Sequence, residues 1–226
     1  MYKYPDDFIN KIICADCLEF MKGIPDKSVD LVLTDPPYGE LGYDWDKEVN
    51  FIPEIERILS KDGQFVVWGN FKNQVRIFNR TKELKYRFEI IVKKPIGRLW
   101  SYRRPIRIHE FLTFYRKGKE TNIKNGFKEG FGNQPESIVN VLVFQSYMRK
   151  HKEATGHPTQ KEEKIVKNIL KSISSKGDLI LDPFLGSGTT TVACKSLGRR
   201  YIGIEISPGY CEIARKRVNN IPESLF

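Results

Sequence analysis

The sequence predicts a doubly wound α/β domain, a parallel sheet covered by helices on both faces. Three observations carry this. Apolar runs without polar alternation, at residues 29–34 and 64–69, read as strands buried on both faces. Segments with apolar residues at helical spacing lie between such runs, so strands and helices alternate. Two turn-rich peptides each follow a strand-like run. They are Thr34-Asp35-Pro36-Pro37-Tyr38 and Asp182-Pro183-Phe184-Leu185-Gly186-Ser187-Gly188-Thr189-Thr190. Both therefore fall at carboxyl ends of strands, where open α/β sheets bind ligands.

Taken in order, residues 11–15 read as a strand ending at Asp16, and 18–21 begin a short helix. Strand 29–34 follows, then a polar and aromatic loop at 39–50. Residues 51–59 carry apolar side chains at helical spacing, and Lys61-Asp62-Gly63 is expected to close that helix before strand 64–69. A helix is expected over 70–79, then strand-like runs at 88–92 and 111–115. From 116 to 156 the periodicity weakens, and glycine, lysine and asparagine cluster around one strand-like run at 138–144. Order returns with a helix at 162–174, which carries Ile165, Val166, Ile169 and Leu170 on one face. A strand at 179–182, a helix at 189–197, a strand at 201–205 and a helix at 210–218 complete the pattern, with Pro208 suited to the first turn of the last helix. The 226 residues thus read as one domain in two halves, 1–94 and 156–226, with the basic stretch 95–155 an insertion into the sheet or an elaboration of its edge.

Net charge is +10, which suits attraction to a polyanion but also fits an ordinary basic soluble protein. The distribution favours the first reading. Between Pro95 and Thr155 there are 12 Lys+Arg against 5 Asp+Glu, so this stretch holds +7 of the total. Arg98, Trp100, Tyr102, Arg103, Arg104 and Arg107 interleave cations with aromatics there, as phosphate contacts and base-edge readout require; a solvated loop is the alternative. No apolar run approaches the roughly 18 residues of a membrane span. The first residues carry no apolar signal region, so a cytoplasmic location is expected. Cys14-Ala15-Asp16-Cys17 has the C-x-x-C form, but no second pair accompanies it, and Cys14, Cys17, Cys194 and Cys211 read as ordinary thiols. His109, His151 and His157 lack metal-ligand spacing, so no metal is expected. His157 should shape the turn before Pro158, and His109 should pack or touch a nucleic-acid backbone.

The first peptide supplies a carboxylate at Asp35, a carbonyl at Pro36, two prolines that stiffen the segment, and an aromatic plate at Tyr38. A plain strand-to-loop turn would also use Asp and Pro. The more specific reading is nucleobase chemistry. An exocyclic amine of adenine or cytosine is a poor nucleophile, because its lone pair is delocalised into the ring. Asp35 can accept one N–H and the Pro36 carbonyl the other, so that the lone pair turns out of plane. Tyr38 can stack on a base drawn out of the duplex. In the second peptide, Gly186-Ser187-Gly188 lets the backbone approach a ligand closely, and the helix that follows faces its amides toward an anionic group. Thr191 stands where a full G-x-G-x-x-G would place its third glycine. Glu205 reads either as a ligand for ribose hydroxyls or as a helix-entry acid, Asp16 as a ligand or an N-cap. Lys161, taken singly, reads as solvated.

With both peptides in this order, the chain resembles the β class of amino-methyltransferases, which methylate exocyclic amines of DNA bases from S-adenosylmethionine. His157-Pro158-Thr159-Gln160-Lys161 and Arg107-Ile108-His109-Glu110-Phe111 match the same family, and the resemblance runs from Cys14 to the C-terminus. It implies a Rossmann-like class I methyltransferase sheet, with residues 1–94 as the catalytic half, 95–155 as a small target-recognition insertion and 156–226 as the cofactor-binding half. It implies a catalytic group of Asp35, Pro36, Pro37 and Tyr38. It further implies a cofactor pocket built from Asp16 near the adenine amine, Asp35, Thr159 and Lys161 toward the methionine carboxylate, and Asp182, Phe184, Gly186, Ser187, Gly188, Thr189 and Glu205. Double-stranded DNA gripped through Arg98, Arg103, Arg104 and Arg107 is the implied partner, and a homodimer is a further expectation. Asp35 leans the target toward adenine N6, because relatives acting on cytosine N4 more often carry Ser there. Cytosine N4, an RNA base and a nicotinamide-dependent oxidoreductase are the alternatives, the last weakened by the incomplete glycine motif and by an unexplained Asp-Pro-Pro-Tyr.

Overall fold

A computed structural model of the chain describes residues 2–39, 49–93, 109–118, 141–143 and 160–222. Along the chain these form β1 (Lys11–Cys14), α1 (Cys17–Met21), β2 (Val29–Thr34), α2 (Ile52–Ile58), β3 (Leu59–Gly69), α3 (Phe71–Arg80) and β4 (Leu84–Lys93). Then come β5 (His109–Lys117), β6 (Val141–Val143), α4 (Glu163–Ile173), β7 (Leu179–Asp182), α5 (Thr189–Ser196), β8 (Arg200–Glu205) and α6 (Pro208–Asn219). The strands make one sheet in the order β1-β8-β7-β2-β3-β5-β4-β6. Every neighbouring pair is parallel except those of β5, which runs antiparallel to both β3 and β4.

From β2 the chain moves to β3 on one side, and from β7 it moves to β8 on the other. The order therefore reverses between β2 and β7, which pair at Leu31↔Ile180 and Val32↔Leu181. A crevice opens beyond the carboxyl ends of strands at such a reversal. The two turn-rich peptides begin at this point, side by side.

The expected two-sided burial is observed. Leu31, Leu33, Val66, Trp68, Leu112 and Ile180 face a core shared with Ile165, Val166, Ile169 and Leu170 of α4, Val192 of α5 and Ala214 of α6. Val32, Phe65, Val67, Leu181 and Ile202 face the opposite core, closed by Phe20 and Met21 of α1, Ile52, Ile55 and Ile58 of α2, and Ile77 of α3. Alternate residues of one strand thus supply both layers.

One expectation changes. Lys61-Asp62-Gly63 does not close α2; the helix ends at Ile58, and these residues lie within β3. Leu59 is fully buried, adopts an extended backbone and pairs with Val29, so sheet pairing prevails over a further helical turn. The extra residues are absorbed by a register shift between Val29 and Leu31. The strand-like runs expected at 111–115 and 138–144 do contain strands: His109–Lys117 belong to the central sheet, and Val141–Val143 extend its edge against β4. β4 also starts earlier than its apolar run, at Leu84. There the Glu56 side chain accepts the amides of Lys82, Glu83 and Leu84 at 2.6, 2.8 and 3.3 Å. No helix among the described residues is long and apolar enough to cross a membrane.

Candidate active site

A cavity of about 450 Å³ lies over the β2/β7 reversal, within the range of about 300–1,000 Å³ usual for small-molecule sites. Its wall contains Asp35, Pro36, Pro37 and Tyr38 from the loop after β2. Asp182 ends β7 and Phe184, Gly186, Ser187 and Thr189 follow it; Asp16 lies between β1 and α1, Glu205 ends β8, and Lys161 precedes α4. Residues 148 positions apart meet because their strands are adjacent: the Thr34 hydroxyl donates to Asp182 Oδ1 at 2.7 Å. Gly188 is not in the wall. It caps α5 with φ of 90° and lies against Ala214 of α6. Thr159, Arg98, Arg103, Arg104 and Arg107 lie outside the described residues.

The acids divide by environment. Asp16 is an N-cap, its Oδ1 accepting the amides of Leu18 and Glu19 at 2.9 and 3.1 Å, while it also lines the cavity. Glu205 sits at the entry of α6 and at the cavity wall. Its carboxylate accepts the amides of Gly186 and Ser207, each at 2.8 Å, tying the glycine turn to the entry of α6 at the cavity wall. Asp182 is 4% exposed, and its Oδ1 also accepts the Phe184 amide at 3.1 Å. Burial pushes its carboxyl from 3.8 up to about 6, although hydrogen bonds from Thr190, Thr34 and Phe184 oppose the rise.

Lys161 is not solvated. Its Nζ stands 2.6 Å from Asp35 Oδ2 and 3.3 Å from Glu110 Oε2, and 5.0 Å from the centroid of the Trp68 ring. Burial opposes its charge, but the two facing carboxylates outweigh burial and raise the Lys161 ammonium above its ordinary value. On the other side of Asp35, the Tyr38 hydroxyl donates to Oδ1. Arg76 of α3 reaches the Tyr38 carbonyl at 3.5 Å. Phe184 packs edge-on against Phe51, with ring centroids 5.0 Å apart, and is thereby fixed from below.

Trp68, Glu110, Ile206 and Tyr210 line the cavity without having been singled out in the sequence. Glu110 lies in a matched motif, which was the one available signal. Its position depends on β5 running antiparallel, which brings the beginning of that strand to the edge where the parallel strands end. Among the described residues, no group of three or more His, Cys, Asp or Glu could hold a metal ion.

A glycine turn, two carboxylates at neighbouring strand ends and an aromatic wall define a nucleoside-cofactor site on a doubly wound sheet, with a second carboxylate-bearing loop opening beside it. Comparison with known proteins narrows this class. Residues 29–216 match the DNA methylase family of N6/N4 methyltransferases. The chain is 30% identical to the type II methyltransferase M.HinfI of Haemophilus influenzae, over 96% of this chain and 70% of that protein. It is 28% identical to M.HpaI of Haemophilus parainfluenzae, over 93% and 74%. Among solved structures it is similar to M1.HpyAVI in complex with S-adenosylmethionine, with 27% identity, a TM-score of 0.74 and coverage of 92% of this chain and 98% of that one. The cytosine-N4-specific PvuII methyltransferase shares the fold, at 21% identity and a TM-score of 0.72, over 95% of this chain and 88% of that one. The chain belongs to the DNA methylase family. Such enzymes draw their methyl group from S-adenosylmethionine, and the volume, the carboxylates and the glycine turn of this cavity fit that cofactor.

Proposed function

We propose that this DNA methyltransferase acts on the N6 amine of adenine in double-stranded DNA, at a specific site, after turning the base out of the duplex. The observation that supports this most directly is the placing of Asp35 and Pro36. They stand beside the glycine turn across the β2/β7 reversal, at the wall of one cavity.

Bound in that cavity, S-adenosylmethionine supplies a methyl group on a sulfonium. Glu205 and Asp16 hold the nucleoside end through hydroxyl and amine groups, Phe184 covers the ring, and the amides opening α5 face the carboxylate. Asp35 accepts one N–H of the target amine and the Pro36 carbonyl the other. Prolines at 36 and 37 keep both acceptors in place before the base arrives, which is where most of the rate gain lies. Tyr38 presents its face to the base. Its hydroxyl, by donating to Asp35, also sets the direction of the carboxylate. Arg98, Arg103, Arg104 and Arg107 supply phosphate contacts, which fix register without reading sequence.

Two considerations support adenine over cytosine. The resemblance associates Asp, more than Ser, at position 35 with adenine. An A·T pair also has two hydrogen bonds to give up on flipping, against three for G·C. Digesting DNA from cells that express the chain to nucleosides, with analysis by mass spectrometry, tests the choice. N6-methyladenine is expected; N4-methylcytosine alone would overturn the base and leave the amine-holding arrangement standing.

A further inference from the structure

Lys161 is held from several sides. Asp35 and Glu110 face its ammonium, the Trp68 ring lies beneath it, and its own carbonyl accepts the Thr189 hydroxyl at 3.3 Å. These partners come from the loop after β2, from β5, from β3 and from the start of α5. Glu110 is 8% exposed, and a buried carboxylate facing a second one needs a cation between them. Asp35 already has both oxygens engaged, Oδ1 by Tyr38 and Oδ2 by Lys161. An amine arriving at Asp35 therefore competes with a lysine for the same carboxylate.

We propose that Glu110 is a positioning residue for Asp35: it shares the Lys161 ammonium, so that Asp35 can turn to the target amine while the cation stays seated on Glu110. This rests on the reading of Asp35 as the amine acceptor. The distances support sharing, since Glu110 is already within reach of Nζ at 3.3 Å while Asp35 is the nearer partner at 2.6 Å. Charge supports it as well. Two carboxylates and one ammonium sum to −1, a sign suited to a site that must receive a sulfonium. With Glu110 absent, Lys161 would bind Asp35 alone and compete fully with the amine. With Lys161 absent, the buried Glu110 carboxylate would face the half-buried Asp35 carboxylate with no cation between them, and their repulsion would favour a shared proton. Among the described residues, the Tyr38 hydroxyl on its own loop and Asp182 at the end of β7 also act on Asp35.

The test uses Glu110→Gln, Glu110→Asp, Lys161→Met and the double variant Lys161→Met/Glu110→Gln, with Asp35→Ala as control. Single-turnover methyl transfer is followed with labelled S-adenosylmethionine and genomic DNA from a methylation-deficient host, and cofactor affinity is measured by calorimetry on the protein alone. Glu110→Gln should slow transfer about tenfold, the scale of a small misplacement of a reacting group. It should leave cofactor affinity nearly unchanged, and Glu110→Asp should recover part of the rate. On the Lys161→Met background the effect should reverse: removing the second carboxylate should speed transfer and move the acid side of the pH–rate profile to lower pH. Equal slowing by Glu110→Gln on both backgrounds, or no slowing on either, overturns the proposal. If Lys161→Met does not fold, the split between rate and affinity in Glu110→Gln and Glu110→Asp decides. Full activity in Asp35→Ala would instead sink the amine-acceptor reading. An inactive Asp35→Ala beside an unaffected Glu110→Gln removes Glu110 alone.

Discussion

Asp182→Asn should make the protein's stability less dependent on pH, in a window set by one buried carboxyl. Asp182 closes β7 at 4% exposure, and its group is raised from 3.8 to about 6, first by burial. A carboxyl raised on folding binds its proton more tightly in the folded state than in the unfolded one. Its contribution is therefore fully present below pH 3.8, is lost as pH rises toward about 6, and is constant above. At about 1.4 kcal/mol per pH unit, the displacement from 3.8 to about 6 is worth about 3 kcal/mol. The group is buried, so solvent screening takes little from this figure. Asparagine keeps the shape and one acceptor oxygen for Thr34 and the Phe184 amide, but has no charge to bury. Against wild type, the variant should thus gain roughly 2 kcal/mol in relative stability between pH 4 and pH 7.5, the remainder of the effect falling below pH 4. Urea unfolding of both proteins at half-unit pH steps measures the difference directly and cancels the titration of all other groups. A difference that stays constant across that range, within about 0.5 kcal/mol, would refute the claim that ionising Asp182 strains the folded state.

Other changes separate chemistry, grip and architecture. Asp35→Ala should abolish methyl transfer, read by labelled cofactor, while unfolding curves stay close to wild type; cofactor affinity should fall only modestly. Arg103→Ala with Arg104→Ala should weaken DNA binding and flatten its log–log salt dependence by roughly one unit per lost phosphate contact, with cofactor binding unchanged; an unaltered slope would release these arginines from any DNA role. Gly188→Ala should cost roughly 2–5 kcal/mol, combining a left-handed backbone with overpacking. The residue has φ of 90°, and an added Cβ would come within 2.7 Å of the Ala214 Cβ and 2.9 Å of its Cα. Wild-type stability in that variant, measured by urea unfolding, would show that α6 can move away.

Local pattern was enough to predict the strands 29–34 and 179–182, because a strand buried on both faces must be apolar throughout, whatever it packs against. It was also enough to locate the two peptides at strand ends, since rigid prolines and a glycine turn carry their backbone requirements in the residues themselves. Pairing was beyond it. That β2 and β7 are neighbours, so that Thr34 meets Asp182, depends on contacts across 148 positions of chain. Lys161 shows the limit most clearly. A lone lysine before a helix has nothing in its local sequence to distinguish a solvated ammonium from one clasped by Asp35, Glu110 and Trp68. The sequence by itself determined the parts: the carboxylate, the stiff acceptors, the glycine turn and the apolar strands. Only the tertiary structure decided which charges face one another, because sheet order and the reversed direction of β5 bring their side chains within reach, and charge interactions depend on distance in space and on burial, neither of which is written in sequence spacing.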